Sequence, residues 1–317
     1  MAAIVAISEV TRTAVDCPGP PGVEASTPWQ QHRPTEIDFS YVADVAPSSD
    51  ETLLWSDPGS SLTVSTAGAG DGSRYRLRPG SWMYVDIIDE RSIVARARTG
   101  VARDNCDHFL GDQVIPRMVA NSGKLVLHAG GVRVEDFAIL LIGPSGRGKS
   151  TLSASFDGGG TALMGDDAII IDWVDDSPRA EAVYPSLRLL PDSIAALLPK
   201  GTAAALVADY SDKQRITLGA PESISLPLRA AFILSPPDGE STITIRPMSI
   251  ADACMAFVDS SFALDPSDIP VARTRLADAS DLARQLPTFS LSYPRDYARL
   301  PEVRHAILGQ IAALDGR

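Results

Sequence analysis

One short segment constrains the fold of this chain more than any other, because a glycine-rich turn follows an apolar strand directly. Residues 137–142 read Phe-Ala-Ile-Leu-Leu-Ile, and a continuous apolar strand predicts a sheet that is covered on both faces. The turn Gly143-Pro-Ser-Gly-Arg-Gly-Lys-Ser150 fits the pattern GxxxxGK[ST], and a helical pattern follows over residues 150–156. This strand, turn and helix are typical of the phosphate-binding loop (P-loop) of α/β proteins that bind nucleotides.

The residues of this loop supply the groups that bind phosphate. Glycines let successive backbone N–H groups point at phosphate oxygens, and the start of the next helix faces the same anion. We therefore expect an ATP site in which Lys149 contacts the β- and γ-phosphates and the Ser150 hydroxyl binds Mg²⁺. The predicted ATP-binding residues are Gly143, Pro144, Ser145, Gly146, Arg147, Gly148, Lys149, Ser150 and Thr151.

Two adjacent carboxylates follow the loop. Asp166 and Asp167 come after a short apolar strand, and ligands gather where the strands of such sheets end. Beside Mg²⁺ and a γ-phosphate, one carboxylate can hold the metal while the other accepts a proton from an attacking hydroxyl. His128 ends a predicted strand at residues 125–128 and would face the loop if that strand neighbours residues 137–142. The alternative is that the aspartates form a solvated turn and that His128 is structural.

Together these residues resemble the HPr kinase/phosphorylase family. The resemblance rests on Leu127-His128, on residues 139–150 and on Leu163-Met-Gly-Asp-Asp167, and the spacing between them agrees with that family without a gap. It covers residues 125–172. Its motifs together are far more specific than the glycine-rich loop alone.

The resemblance implies a role for each matching residue. Asp167 would be the proton acceptor, and His128 would support it. Lys149 would bind phosphate, and Ser150 would bind magnesium. The implied fold is an α/β P-loop domain like the C-terminal domain of HPr kinase, and the implied cofactors are ATP and Mg²⁺.

The chain departs from the family pattern after the aspartates. The family has a Glu-Ile-Arg-Gly segment, and the nearest counterpart here lies in residues 184–192, where Arg188 keeps the place of the arginine but Ser186 replaces the acid. Metal binding would then rest on Ser150 and Asp166, with Asp192 as a further candidate. Arg188 and Arg147 could neutralise charge on the transferred phosphoryl group. The family's C-terminal phosphorylase signature is not recognisable, which argues against HPr as the substrate and against the reverse reaction.

Residues 184–192 and 286–297 look more like divergent HPr-kinase homologues, of which the lasso peptide precursor kinases are one kind. Those enzymes phosphorylate a serine at the C-terminus of a precursor peptide. The resemblance thus implies an ATP-dependent serine kinase that acts on a peptide or small protein. Two alternatives stay open: a nucleotide-binding regulator with weak catalysis, and a small-molecule kinase for serine or a sugar. HPr kinases form hexamers, which leaves a homo-oligomer open.

The rest of the chain predicts three parts. Residues 1–34 form an irregular arm rich in Pro and Gly. Residues 35–122 alternate in the manner of short strands and predict a small antiparallel β module that ends in a helix at 107–121, although Pro116 lies inside that pattern. Residues 123–317 form the P-loop domain.

Composition excludes several other classes of protein. The 28 Lys plus Arg against 40 Asp plus Glu give a net charge of -12, which argues against a nucleic-acid partner. No apolar run approaches the roughly 20 residues that span a bilayer. Three cysteines without CxxC spacing fit a cytoplasmic protein. Since only four residues are lysines and Lys149 is one of them, the positive potential that ATP needs must be local.

Overall fold

The computed structural model describes residues 34–68, 74–156, 158–184, 187–216, 224–236 and 241–315. Residues 1–33 of the predicted arm lie outside these ranges. Runs of strands are separated by helices along the described chain, and the strands form three sheets. The prediction of an α/β protein is therefore confirmed at the level of fold class.

The first sheet belongs to the predicted β module. Its strands are β1 (Glu36–Val42), β2 (Glu51–Ser56), β3 (Leu62–Ala67), β4 (Arg74–Pro79), β5 (Met83–Ile87) and β6 (Ser92–Arg98). The order across the sheet is β1-β6-β5-β4-β3-β2. The prediction of a purely antiparallel module is wrong at one edge, because β1 pairs with β6 in parallel. A parallel pair needs a long connection, and here β2 to β5 lie between the two strands in the chain.

A helical segment closes the buried face of this sheet. It consists of α1 (Arg103–Phe109), a π-helical turn (Leu110–Val114) and α2 (Ile115–Asn121). The predicted helix at 107–121 thus begins earlier and is interrupted. Pro116 lies in the first turn of α2, where a backbone N–H has no partner within the helix and its absence therefore costs little stability. The Ile115 N–H donates to the Leu110 carbonyl five residues earlier, which is the hydrogen bond of a π-helix. Phe109, Leu110 and Val114 pack against the sheet.

The later strands form a sheet of nine and a sheet of three. They are β7 (Leu125–Leu127), β8 (Ala129–Val134), β9 (Phe137–Ile142), β10 (Thr161–Gly165), β11 (Ile169–Val174), β12 (Ser177–Ala182), β13 (Leu187–Leu189), β14 (Ala204–Ala208), β15 (Ser211–Ile216), β16 (Leu226–Leu234), β17 (Thr244–Pro247) and β18 (Thr288–Ser292). The nine-stranded sheet runs β10-β8-β9-β16-β12-β11-β7, with β18 paired to both β16 and β17. The small sheet runs β13-β15-β14.

Strand β9 lies at the centre of the large sheet, as its apolar sequence predicts. It is antiparallel to β8 and parallel to β16. Leu140 and Ile142 pack on one face with Phe257, while Ile139 and Leu141 pack on the other face with other side chains. Both faces of the strand are therefore buried. Strand β12 ends at Ala182, and its hairpin with β11 turns at residues 175–176.

Helices cover the two faces of the large sheet. They are α3 (Lys149–Ala154), α4 (Pro191–Leu197), α5 (Ile250–Ser260), α6 (Ile269–Gln285) and α7 (Leu300–Asp315). Side chains of α5 and α6 complete one core, and side chains of α3 and α7 complete the other. Among the helices of the described ranges, none combines the length and apolar character that a membrane crossing requires.

Candidate functional site

A cavity of about 750 Å³ contains most of the residues that the sequence singled out. Its wall includes Lys149 and Ser150 from the glycine-rich loop, Asp167 from the segment after β10, and Arg188 from β13. His128, between β7 and β8, also lines it. Residues from four separate stretches of chain therefore meet at one concave surface, which is the usual form of a ligand site.

The glycine-rich loop presents part of its length to this cavity. Gly146 and Gly148 have φ angles of 80° and 81°, which glycine adopts without strain. The Lys149 ammonium donates to the carbonyls of Gly143 at 2.7 Å and Pro144 at 3.3 Å. Burial lowers the pKa of Lys149, while the charges of Asp167 and Asp166 oppose that shift. The predicted loop residues on the cavity wall are Ser145, Gly146, Gly148, Lys149, Ser150 and Thr151.

The other predicted loop residues lie away from the wall. Gly143 and Pro144 provide the carbonyls that hold Lys149. Arg147, which the sequence suggested as a partner of the phosphoryl group, is half-buried and is not among the residues that line the cavity. The geometry therefore does not support the expectation for Arg147.

Asp167 is the carboxylate of the pair that faces the cavity. Its Oδ2 forms an ion pair with Arg188 Nη2, and its Oδ1 lies 3.2 Å from His128 Nε2. Its φ of 77° is unusual for a residue with a side chain, and such strain is typical of functional sites. Burial raises the pKa of Asp167, but the Arg188 charge and the hydrogen bond from His128 hold it well below its ordinary value. Asp167 is therefore ionised at neutral pH.

Strand pairing explains why His128 meets Asp167. Strand β7 pairs with β11 and not with β9, so the strand before His128 is not the neighbour that the sequence argument assumed. Strand β8, which begins one residue after His128, pairs with β9 instead, with Ala129 opposite Ile142. In the antiparallel register Leu127 lies opposite Ile169. His128, which follows Leu127, therefore lies close to Asp167, which comes just before Ile169. The His128 backbone N–H also donates to the Ser260 carbonyl at 2.7 Å.

Asp166 lies behind the cavity wall. Its side chain is fully buried. Burial and the neighbouring charge of Asp167 raise the pKa of Asp166, and the nearby Ser150 side chain opposes that shift. Asp166 does not line the cavity, whereas Ser150 and Asp167 do, so a direct contact with a metal in the cavity would come from Ser150 or Asp167.

This set of donors fits Mg²⁺ bound together with nucleotide phosphates. Mg²⁺ prefers oxygen ligands and usually takes one or two from the protein and the rest from phosphates and water. The Ser150 hydroxyl and the Asp167 carboxylate are such ligands, and both line the cavity. In the described part of the chain, no three His, Cys, Asp or Glu side chains converge to form a metal cage.

Two residues that hold Arg188 were not predicted from the sequence. Asp112, on the π-helical turn, forms an ion pair with Arg188 Nη1, and His108 Nδ1 lies 3.0 Å from the same nitrogen. Arg188 is thus shared by Asp112 and Asp167, and its side chain is only 4% exposed. The one signal in the sequence was Pro116, because a proline inside a helical pattern marks a distortion of the turn before it.

The remaining candidates have other surroundings. Asp192 accepts a hydrogen bond from the Tyr297 hydroxyl at 2.8 Å and does not line the cavity. The geometry therefore gives no support to Asp192 as a metal ligand. Ser186, which stands in place of the family's acid, lies outside the described residues. Lys213, to which the sequence assigned no task, lines the cavity on β15, and its charge acts on both Asp166 and Asp167.

Comparisons with known proteins include a distant structural match. No protein-family model matches the chain, and no curated protein matches it by sequence. Among solved structures, the chain is similar to the Hpr(Ser) kinase/phosphatase from Coxiella burnetii, with 12% sequence identity and a TM-score of 0.31. The match covers 58% of this chain and 97% of the other. A TM-score of this size supports no inference about function, so the following proposals rest on the site itself.

Proposed function

We propose that this protein is an ATP-dependent kinase that transfers the γ-phosphate to a serine hydroxyl of a peptide or small protein. One observation carries the proposal: an ionised carboxylate, Asp167, shares a cavity wall with the lysine and serine of a GxxxxGKS loop. A phosphate-binding loop alone defines a nucleotide site. A fixed carboxylate beside it provides the acceptor for a hydroxyl proton.

The proposed reaction forms one bond and breaks one. The oxygen of the acceptor hydroxyl bonds to the γ-phosphorus while the bond from that phosphorus to the β–γ bridging oxygen breaks, and ADP leaves. The hydroxyl proton passes to Asp167. A weak base suffices, because phosphoryl transfer passes through a loose transition state in which positioning and charge stabilisation matter most. The low pKa of Asp167 is therefore compatible with the role.

The surrounding residues position the reacting groups. His128 and Arg188 hold the two oxygens of Asp167, which fixes the direction of the carboxylate. Lys149 and the loop N–H groups bind the phosphates, and the Ser150 hydroxyl on the cavity wall is the first candidate ligand for Mg²⁺. Mg²⁺, when bound, neutralises charge on the phosphate oxygens. Arg188 adds positive charge near the transferred group.

A finer proposal concerns the acceptor. The resemblance of residues 184–192 and 286–297 to lasso peptide precursor kinases makes the C-terminal serine of such a precursor the first peptide to test. The protein would then act in the cytoplasm on a peptide partner, without nucleic acid or membrane.

The experiment is a phosphorylation assay with purified protein, Mg-ATP and candidate peptides, read by mass spectrometry. Phosphorylation adds about 80 Da, and Asp167→Asn should abolish that shift because the carboxylate that accepts the proton is gone. Asp167→Asn should still bind ATP, whereas Lys149→Ala should lose ATP affinity. Equal phosphorylation by wild type and Asp167→Asn would refute the assignment of Asp167.

The size of the cavity favours a second candidate function, a small-molecule kinase. A volume of about 750 Å³ lies within the range of pockets that enclose small ligands. Free serine or a sugar alcohol could then be the acceptor at the same Asp167. Incubation of a metabolite mixture with γ-labelled ATP distinguishes the two functions, since label would appear in a small molecule and not in a peptide.

A further inference from the structure

Two arginines on the cavity wall have no role in the proposed chemistry. They are Arg117, on α2, and Arg275, on α6. They come from helices on either side of the large sheet's β7 edge, and Phe262, Ala263 and Pro266 line the wall as well. Both side chains are therefore available to bind a ligand in the cavity.

Arg117 is a buried cation, and no carboxylate of the described residues forms an ion pair with it. Its residue is only 8% exposed. Nη1 donates to the carbonyl and to the side-chain oxygen of Gln113, at 2.9 and 2.7 Å, but Nε has no hydrogen-bond partner. Burial lowers the pKa of Arg117 to about 10. Buried charges are normally paired with an opposite charge. Arg117 has only neutral hydrogen-bond partners and one nitrogen without a partner, so it is a candidate for binding an anionic ligand.

Carboxylates of the protein do not take this place. Asp57 is the acid whose charge acts on Arg117. Its carboxylate already accepts hydrogen bonds from the Ser60 hydroxyl at 2.6 Å and the Gly59 N–H at 3.0 Å. Asp259 also lines the cavity, but it is exposed to solvent. Within the described ranges neither acid forms an ion pair with Arg117 or Arg275 at 4 Å or less.

Arg275 provides a second cation of the same kind. It is half-buried, its Nε has no hydrogen-bond partner, and burial lowers its pKa. No carboxylate contributes to that shift. A guanidinium can donate two parallel hydrogen bonds to a carboxylate, which suits an arginine on the wall of a cavity.

A short chain of ring contacts connects this part of the wall with the proposed proton acceptor. The Arg117 guanidinium lies 5.3 Å from the centre of the Phe262 ring, and that ring lies 6.0 Å from the ring of His128. Phe262 is held there because its N–H donates to the Val126 carbonyl. One aromatic ring therefore separates Arg117 from the histidine that contacts Asp167.

We infer that Arg117 and Arg275 bind a carboxylate of the phosphate acceptor, so that the acceptor carries its hydroxyl and its carboxylate on one small unit. A C-terminal seryl residue and free serine both have this chemistry, whereas a serine inside a peptide chain does not. The inference rests on the proposed kinase function, because it specifies the acceptor for the same Asp167. It assigns to the arginines binding and specificity, and no part in the bond-making step.

The test uses paired acceptors that differ only in the carboxylate. The probes are an acetylated six-residue glycine-rich peptide that ends in serine, as free acid and as amide, and the same peptide with serine in the middle and an amidated end. Free serine and serine amide form a second pair and distinguish the two sources of the carboxylate. Phosphorylation is measured with saturating Mg-ATP, and binding is measured by calorimetry with Asp167→Asn protein.

We expect kcat/KM to be higher for each free acid than for its amide by roughly 10–100-fold, the range for a charged hydrogen-bonded pair. Arg275→Gln should remove about tenfold of that preference and leave the affinity for ATP unchanged. Arg273→Gln is the matched control, since Arg273 lies on α6 as well but is exposed and does not line the cavity. Arg117→Lys tests the buried cation while keeping its charge.

The outcomes separate this inference from the proposed function. Equal binding and equal turnover of acid and amide would overturn the carboxylate site even if the protein proves to be a kinase. If the acid binds better, Arg275→Gln removes that preference, and no acceptor gains phosphate, the carboxylate site stands and the kinase proposal falls. Competition of inorganic phosphate with the acid peptide at equal concentration would show a site for any anion and would overturn the specificity for carboxylate.

Discussion

Removal of the Arg188 charge should destabilise the protein in a way that depends on pH. Arg188 is buried between Asp112 and Asp167, so Arg188→Met leaves a buried carboxylate without its main counter-charge. Breaking a buried ion pair at one partner costs about 3–5 kcal/mol, because the remaining charge stays desolvated. We therefore expect the free energy of unfolding at pH 7.5 to fall by about that amount.

The pH dependence follows from Asp167. In the wild type its folded pKa is depressed, so its contribution to stability is present above its unfolded pKa and is lost as the pH falls through the folded value. In Arg188→Met the Arg188 charge is gone. Burial, the largest single cause, still raises the pKa of Asp167, against the smaller opposing effects of His128 and Lys213. The folded pKa of Asp167 should then exceed the unfolded one, and the loss of stability should shrink as the pH falls. One pH unit of titration corresponds to about 1.4 kcal/mol.

Urea denaturation monitored by tryptophan fluorescence at pH 7.5 and pH 5.5 measures both effects. The double variant Arg188→Met, Asp167→Asn is the control, because it removes both charges of the pair and should recover much of the lost stability. The reasoning is refuted if Arg188→Met loses less than about 1 kcal/mol at pH 7.5, or if the loss is equal at the two pH values.

Three further predictions concern the loop, the contact between α1 and the small sheet, and a cysteine. Gly148→Ala should weaken ATP binding and destabilise the protein by about 1–2 kcal/mol or more, since the φ of Gly148 is 81° and an added Cβ would lie 3.1 Å from Arg295 Nη1. The control is Gly146→Ala, because Gly146 has a similar φ but an added Cβ there would meet nothing within 4 Å. Calorimetric and binding data for the control therefore isolate the backbone strain. Asn105→Ala should lower the free energy of urea unfolding by about 1–2 kcal/mol, because Asn105 exchanges hydrogen bonds of 2.7 and 2.9 Å with the turn between β14 and β15; an unchanged midpoint would contradict this. Burial raises the pKa of Cys106 to about 11, so peptide mapping after iodoacetamide treatment at pH 8 should find Cys106 unmodified in native protein and modified only in urea.

Local patterns allowed the centre of the site to be predicted from the sequence. Residues 137–142 form β9 as predicted, because a strand between two covered faces needs only its own run of apolar side chains. The loop and the start of α3 follow directly.

Contacts between distant segments could not be predicted in this way. The path by which His128 reaches Asp167 depends on the pairing of β7 with β11, and short apolar strands carry no signal for their partner. Arg188 was selected by resemblance to a family motif, yet its second partner Asp112 lies 76 residues away in sequence on a π-helical turn. Asp112 was not predicted, because the residue spacing of an ordinary α-helix does not show which side chain a π-helical turn directs towards Arg188.

The distribution of charge explains how an acidic chain can present a site for anions. The wall of the cavity carries five cationic side chains, Arg117, Lys149, Arg188, Lys213 and Arg275. It also carries carboxylates, but Asp112 and Asp167 are both paired with Arg188, and within the described ranges none of the other four cations forms an ion pair at 4 Å or less. Charges on the wall of a cavity act more strongly than charges on the open surface, which salt screens over about 10 Å. The net charge of -12 therefore repels anions at long range, while the potential inside the cavity is set by the few buried cations that face it.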